Sequence, residues 1–166
     1  PLKTQGGAEF LLPTRALAEA VVKEWDEAGE TINPRAMPLT RLAFTAIDSV
    51  HPNREAVVDE VAAFGSSDLL SYRAEAPQEL AARQAQVWDP LLDWSAKHHG
   101  ARLKTTAGIS HVAQSQDTLS ALRNAVDKHD DCALAALHTA TSLTGSLVIA
   151  LALREGRIDA TEAYTL

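Results

Sequence analysis

The uninterrupted apolar run from Leu147 to Leu153 constrains the fold of this chain more than any other feature. It lies in residues 143–155, which are apolar on nearly every side of a helix and therefore predict a buried central helix. Gly156 follows and can end that helix. The run is far shorter than the ~20 residues that a membrane span needs, so no membrane partner is expected. Other helices must then pack around this one.

Apolar residues recur at helical spacing through most of the chain, most clearly between Thr14 and Gly29. Thr14 is a good N-cap and Gly29 a C-terminal stop, and we expect Glu19 and Lys23 to pair on the polar face. We interpret Trp25 as a core residue, because it belongs to the apolar stripe. That stripe is formed by Leu17, Ala18, Val21, Val22, Trp25 and Ala28.

A second helix is predicted from Pro38, since proline suits the first helical turn. Its apolar stripe consists of Leu39, Leu42, Ala43, Ala46, Ile47 and Val50. At ~100° per residue, Phe44 lies on the border of this stripe, among Arg41, Thr45 and Asp48. The pattern favours a phenylalanine packed under a neighbouring helix, and the alternative is one that contacts a partner.

Further helices are predicted along the rest of the chain. We expect Asn53 to cap a third helix, Pro77 to begin a fourth, and Asp89-Pro90 to break or kink that fourth helix. Two more are expected at about residues 117–128 and from about Asp131, and the last begins at a capping box formed by Asp159 and Glu162.

Residues 1–13 differ from the rest, because Gly6-Gly7 lies between short stretches and predicts a hairpin turn. We expect residues 1–13 to end a truncated N-terminal β-containing domain, and residues 14–166 to form a helical domain that is also truncated. The chain begins at Pro1 without an initiator methionine, as expected of a fragment or a processed form.

The predicted fold class is mostly α. We expect a multihelical bundle with a small β-containing N-terminal remnant, which makes the chain α+β overall.

No catalytic pattern is found in the chain. It has no P-loop, no G-x-G-x-x-G and no nucleophile elbow, so we expect no catalytic residue, cofactor or small-molecule substrate. The single cysteine, Cys132, follows two aspartates that should raise its thiol pKa. The net charge of −7 argues against nucleic acid as a partner.

Six histidines raise the question of a metal site. His98 and His99 are adjacent and should point in different directions on a helix, and paired ligands at both ends of a structural zinc site are missing. We therefore predict no metal site. His138 is interpreted as a half-buried, hydrogen-bonded histidine. An enzyme that uses His98, His99 or His138 is the remaining catalytic alternative.

Several side chains are candidates for binding a protein partner. Trp88 fits the core, whereas Trp94 fits either the core or an aromatic anchor on the surface. Glu155 ends the most buried helix, where a carboxylate opposes the helix dipole. It is either an exposed residue beside two arginines or a charge kept for a partner. The candidate set is Arg41, Phe44, Asp48, Trp94, Glu155 and Glu162.

Five short motifs occur in an order that is typical of one family. They are E-W-D at 24–26, M-P-L-T at 37–40, T-A-I-D at 45–48, Y-R-A at 72–74 and W-D-P at 88–90. With them the chain resembles the ATP12-type assembly chaperones, which serve the α subunit of the ATP synthase catalytic sector in mitochondria and related bacteria. Ser71 departs from the family, in which a cysteine is common before Y-R-A. The start of the N-terminal domain and an acidic, aromatic stretch after the last helix are missing here.

The resemblance implies a non-enzymatic protein that binds the unassembled α subunit and shields its apolar surface until a β subunit takes its place. It also implies a small β-containing domain followed by a helical one. The location would be cytoplasmic in a bacterium and the mitochondrial matrix in a eukaryote. The alternative is a helical scaffold or adaptor domain with a different protein partner.

Overall fold

A computed structural model describes residues 2–29 and 32–166 of the chain. The mostly α prediction is confirmed. In the described residues the helices are α1 (Arg15–Glu27), α2 (Pro38–Thr45), α3 (Arg54–Ala63), α4 (Gln78–His98), α5 (Gln116–Asp127), α6 (Asp131–Thr144), α7 (Leu147–Arg154) and α8 (Ala160–Thr165). Two short strands, β1 (Tyr72–Arg73) and β2 (Thr106–Ala107), pair in parallel. None of the described helices is long and apolar enough to cross a membrane.

The chain divides into two compact units. The first unit comprises Pro1–Arg54 and Asp130–Ala136, and the second comprises Glu55–His129 and Leu137–Leu166. The division after residue 13 that the sequence suggests remains a prediction.

In the first unit, α1 packs on α2. The stripe of α2 is partly confirmed, because Ala43, Ala46 and Val50 are buried and its other members are half-buried. The predicted hairpin turn is present as an isolated antiparallel bridge between Lys3 and Glu9.

The core placement of Trp25 is wrong, because 37% of this residue is exposed. Val21 is the one residue of α1 that is buried. Since α1 packs mainly on α2, only part of its apolar stripe is covered. The expected Glu19–Lys23 pair is also wrong, because Glu19 pairs with Arg15 and Lys23 with Glu27.

The structure bears on two predicted helix boundaries. Helix α3 begins at Arg54, directly after Asn53 and after a π-helical turn at Ala46–Val50. The Asn53 side chain donates to the Ser49 carbonyl, and its capping of α3 stays a prediction. Helix α4 continues through Pro90 without a break. A proline removes one helical hydrogen bond, and the exposure of Gln86 and Pro90 lets water take the place of that bond.

In the second unit, α7 forms the buried centre as predicted, but it begins at Leu147 and not at residue 143. Residues 143–144 belong to α6, and Gly145, at φ +68°, separates the two helices. Residues 147–152 are all buried, and α4 and α8 pack against α7. Trp88 is buried as expected. The predicted capping box of α8 is present, with Asp159 and Glu162 each accepting from the other's backbone N–H at 2.8 Å. The N-cap role of Thr14 on α1, in the first unit, is likewise confirmed.

Candidate partner-binding surfaces

An apolar groove lies beside α2 in the first unit and has a volume of about 250 Å³. Its lining includes Trp25, Ile32, Met37, Arg41 and Phe44, and we call it the α2 groove. Met37 forms its buried floor, whereas Ile32 is 57% exposed. Arg41 is exposed beside them. The groove thus combines open apolar side chains with two cations, Arg41 and Lys3, a composition suited to a protein partner.

Phe44 is half-buried between the N-terminal stretch and the α2 groove, and its contact with a partner stays a prediction. On one side its ring packs edge-on against Phe10, with centroids 5.0 Å apart and planes at 70°. On the other side it lines the α2 groove. The half-buried ring is therefore fixed by Phe10 while part of it faces the groove.

Asp48 has a structural role within the first unit. Its carboxylate accepts from the Thr4 hydroxyl at 2.6 Å and from the Gly6 N–H at 2.9 Å. A Cβ on Gly6 would lie 2.7 Å from the Asp48 carboxyl carbon, so this approach requires glycine. Asp48 therefore holds the N-terminal turn against the π-helical turn that follows α2.

A second groove of the first unit, about 490 Å³ in volume, is lined by Leu11, Ile47, His51, Asp131 and Cys132 among others. Asp131 accepts from His51 at 2.8 Å and from Arg54 at 2.9 Å. Burial raises the pKa of Asp131, but these hydrogen bonds and charges outweigh burial and lower it. The pKa of Cys132 is raised, as predicted, first by burial and then by Asp130 and Asp131.

In the second unit, His98, His99 and Glu155 converge. His98 Nε2 lies 2.9 Å from one Glu155 oxygen, and His99 Nε2 lies 3.3 Å from the other. The expectation that the two histidines point apart is wrong, because His99 lies at the cap of α4 with φ −107° and not inside the helix. Burial lowers the pKa of His99, although Glu155 opposes this shift.

Trp94 belongs to the same cluster. Its ring stacks on His98, with centroids 5.5 Å apart and planes at 12°, and meets His99 edge-on at 5.0 Å. Glu155 therefore already contacts His98 and His99 within the chain. A groove of about 620 Å³ runs from Trp94 and His98 past Pro90 to Arg157.

The remaining predicted residues have local roles. Glu162 belongs to the capping box of α8. His138 is half-buried as predicted, and its Nε2 lies at an ion-pair distance of 3.2 Å from Glu60. Arg41 and Phe44 share the α2 groove of the first unit, and Trp94 and Glu155 share the histidine cluster of the second. Sequence reasoning missed Ile32, whose signal was a lone apolar residue in the loop after Gly29.

Comparison with known proteins gives consistent results. A family model described as ATP12 chaperone protein matches residues 1–96. The chain is 26% identical over 177 residues to the mitochondrial protein atp12 of Schizosaccharomyces pombe, with 99% of this chain and 61% of that protein covered. It therefore spans less than two thirds of that relative. It is 46% identical to Atp12 from Paracoccus denitrificans, with a TM-score of 0.95 over 99% of this chain and 71% of that one. The D202K mutant of that protein gives a TM-score of 0.96 at 46% identity, with 99% and 70% covered.

Proposed function

Because this chain belongs to the ATP12 chaperone family, we propose that it binds the unassembled α subunit of the ATP synthase catalytic sector and hands it on for assembly. The family is one of assembly chaperones and not of enzymes. The observation that supports a binding role is the α2 groove, where Trp25 and Ile32 expose apolar surface beside Phe44. This groove lies within the residues that the family model matches.

The physical requirements of the task fit this surface. An unassembled subunit exposes apolar area that would otherwise aggregate, and a chaperone must cover that area without chemistry. It must also release its client, so a contact of moderate size with polar borders is suitable. The α2 groove is small, apolar at its floor and bordered by the exposed Arg41.

Net charge supports the same role. At −7 the chain repels copies of itself, which helps solubility, and long-range attraction can speed its encounter with a basic surface.

We propose that the client contacts Arg41 and Phe44 directly, whereas Asp48 and Glu162 act by holding local structure. We place the protein in the cytoplasm of a bacterium or in the matrix of a mitochondrion.

Capture of isolated subunits tests the proposal. The full chain is immobilised and offered purified α or β subunit, and we expect α but not β to be retained and protected from aggregation. Binding to β alone, or to neither subunit, would overturn it. Retention of another protein in the absence of both would favour the alternative of a helical scaffold or adaptor.

Two variants locate the contact. Arg41→Glu reverses the exposed charge at the groove, and Phe44→Asp removes apolar surface from it. Each should weaken α-subunit capture about tenfold or more, the range of an interface hot spot. Arg83→Glu, an exposed arginine of α4, makes the same charge change elsewhere and should bind like wild type. Because Phe44 is half-buried, its variant is compared at a temperature where circular dichroism shows both proteins folded.

A further inference from the structure

The cluster of His98, His99 and Glu155 brings three metal-ligating groups to one point of the second unit. One ligand atom of each residue lies within 4.8 Å of those of the other two. Both imidazoles present Nε2 to the carboxylate, at 2.9 Å and 3.3 Å. Two histidine nitrogens and one carboxylate are the protein ligands of many zinc sites in which a fourth position stays open to water.

The end of α4 places the two neighbouring histidines on the same side. His98 is the last helical residue, His99 is the cap, and Gly100 follows at φ +73°. This left-handed position favours glycine and turns the chain sharply after the helix. As a result the two imidazole centroids lie 4.9 Å apart with their planes at 87°. Such an arrangement lets both Nε2 atoms reach one point.

An unsatisfied buried nitrogen marks the cluster as more than a surface ion pair. The His99 side chain is only 6% exposed, and its Nε2 has no hydrogen-bond partner. Its 3.3 Å separation from the Glu155 oxygen is an ion-pair distance without hydrogen-bond geometry. Because buried polar atoms are normally partnered, this nitrogen requires an explanation. A coordinated cation would satisfy it.

The surroundings fix the ligands and leave an approach from solvent. Trp94 contacts both rings, one by stacking and one edge-on, and so restricts their rotation. The His98 side chain remains 58% exposed, which gives an ion and a water ligand access from one side. Restrained ligand orientation raises metal affinity, because less freedom is lost on binding.

We propose that this cluster binds one divalent transition-metal ion of the Zn²⁺ class through His98 Nε2, His99 Nε2 and the Glu155 carboxylate. Imidazole nitrogens suit Zn²⁺ and its neighbours in the transition series, whereas Mg²⁺ and Ca²⁺ prefer oxygen ligands. The ion would join the C-terminal end of α4 to the residue that follows α7, which is the centre of this unit. Its role is to tie these two helix ends together.

Isothermal titration calorimetry tests the site. The chelator-treated full chain is titrated with ZnCl₂. We expect one Zn²⁺ per chain, and expect Co²⁺ to give the visible absorption of a nitrogen- and oxygen-ligated ion. His98→Ala and Glu155→Gln should each weaken Zn²⁺ binding about tenfold to hundredfold or more, at least as much as loss of a residue that only orients a ligand. Zn²⁺ should raise the melting temperature of wild type more than that of these variants at the same Zn²⁺ concentration.

His138→Ala is the matched control, because His138 forms a single pair with Glu60 and belongs to no such cluster among the described residues. It should retain wild-type Zn²⁺ binding. Melting curves without metal check that each variant folds, and His98 is preferred to the buried His99 for that reason. Absence of stoichiometric binding would overturn the proposal, as would equal loss in His138→Ala or undiminished binding in both cluster variants.

Discussion

The carboxylate of Glu24, in α1, accepts hydrogen bonds from both the N–H and the hydroxyl of Thr40, in α2. The distances are 2.8 and 2.7 Å, and the other carboxylate oxygen accepts from the Leu39 N–H at 2.7 Å. Met37, in the N-cap position of α2, provides no side-chain hydrogen bond. Glu24 therefore supplies the missing cap from a different helix, and its charge is favourable at the positive end of the helix dipole.

Replacing this carboxylate should destabilise the first unit. We expect Glu24→Ala to lower the free energy of unfolding by about 1–2 kcal/mol, because two backbone donors at the start of α2 lose their acceptor. Urea denaturation followed by circular dichroism measures the change. Glu19→Ala is the control, since Glu19 forms only an exposed pair with Arg15 and its loss should cost less than about 0.5 kcal/mol. Equal midpoints for the two variants would contradict the capping role.

The same carboxylate should make stability depend on pH. Burial raises the pKa of Glu24, but hydrogen bonds from Leu39 and Thr40 outweigh burial and hold it below its ordinary value of 4.5. With a folded-state pKa lower than that of the unfolded chain, its stabilisation is present above pH 4.5 and declines as pH falls through the lowered pKa.

Unfolding of wild type and Glu24→Gln at a series of pH values tests this dependence. The stability difference should be constant near neutral pH and should shrink below about pH 4.5, where the unfolded chain begins to take up the proton. A difference that persists unchanged to pH 3 would show that the carboxylate charge is not what stabilises α2.

Features encoded locally could be predicted from the sequence. The N-cap at Thr14, the capping box of Asp159 and Glu162 and the central α7 all depend on residues within one or two helical turns. The apolar run of α7 needs no knowledge of its neighbours, because an all-round apolar helix is stable only when buried.

Features that depend on tertiary packing could not be predicted in the same way. The stripe of α1 shows which face is apolar but not how much of it α2 covers, so it predicts a core position for Trp25. In the sequence Glu24 is one acidic residue among several. Only the position of α2 shows that Glu24 accepts hydrogen bonds at the start of that helix. His98 and His99 point apart on an ideal helix, and only the cap geometry at His99 brings them together.

Asp68 provides a third test, in the second unit. It is fully buried and accepts from the Ser146 hydroxyl at 2.7 Å, the Val148 N–H at 3.1 Å and the Leu70 N–H at 3.0 Å. Burial raises its pKa, against the effect of these hydrogen bonds. The side chain therefore satisfies donors at the start of α7 that water cannot reach.

We expect Asp68→Ala to lower the free energy of unfolding by about 3 kcal/mol or more, because several buried donors lose their acceptor at once. Asp68→Asn keeps the shape and one acceptor oxygen, and should cost clearly less. Denaturant unfolding of both variants at neutral pH provides the comparison. If alanine were tolerated as well as asparagine, the hydrogen bonds of Asp68 would not be what anchors α7.

Trp25 should matter for binding more than for folding. Because it is partly exposed and lines the α2 groove, Trp25→Ala should retain cooperative unfolding while weakening α-subunit capture about tenfold or more. Val22 lies on the same helix, is 57% exposed and is not among the groove residues, so Val22→Ala is the control and should bind normally. Capture assays and thermal unfolding are run on both variants. Loss of cooperative unfolding in Trp25→Ala would show that the core needs this side chain. Undiminished capture would show that Trp25 does not contact the client.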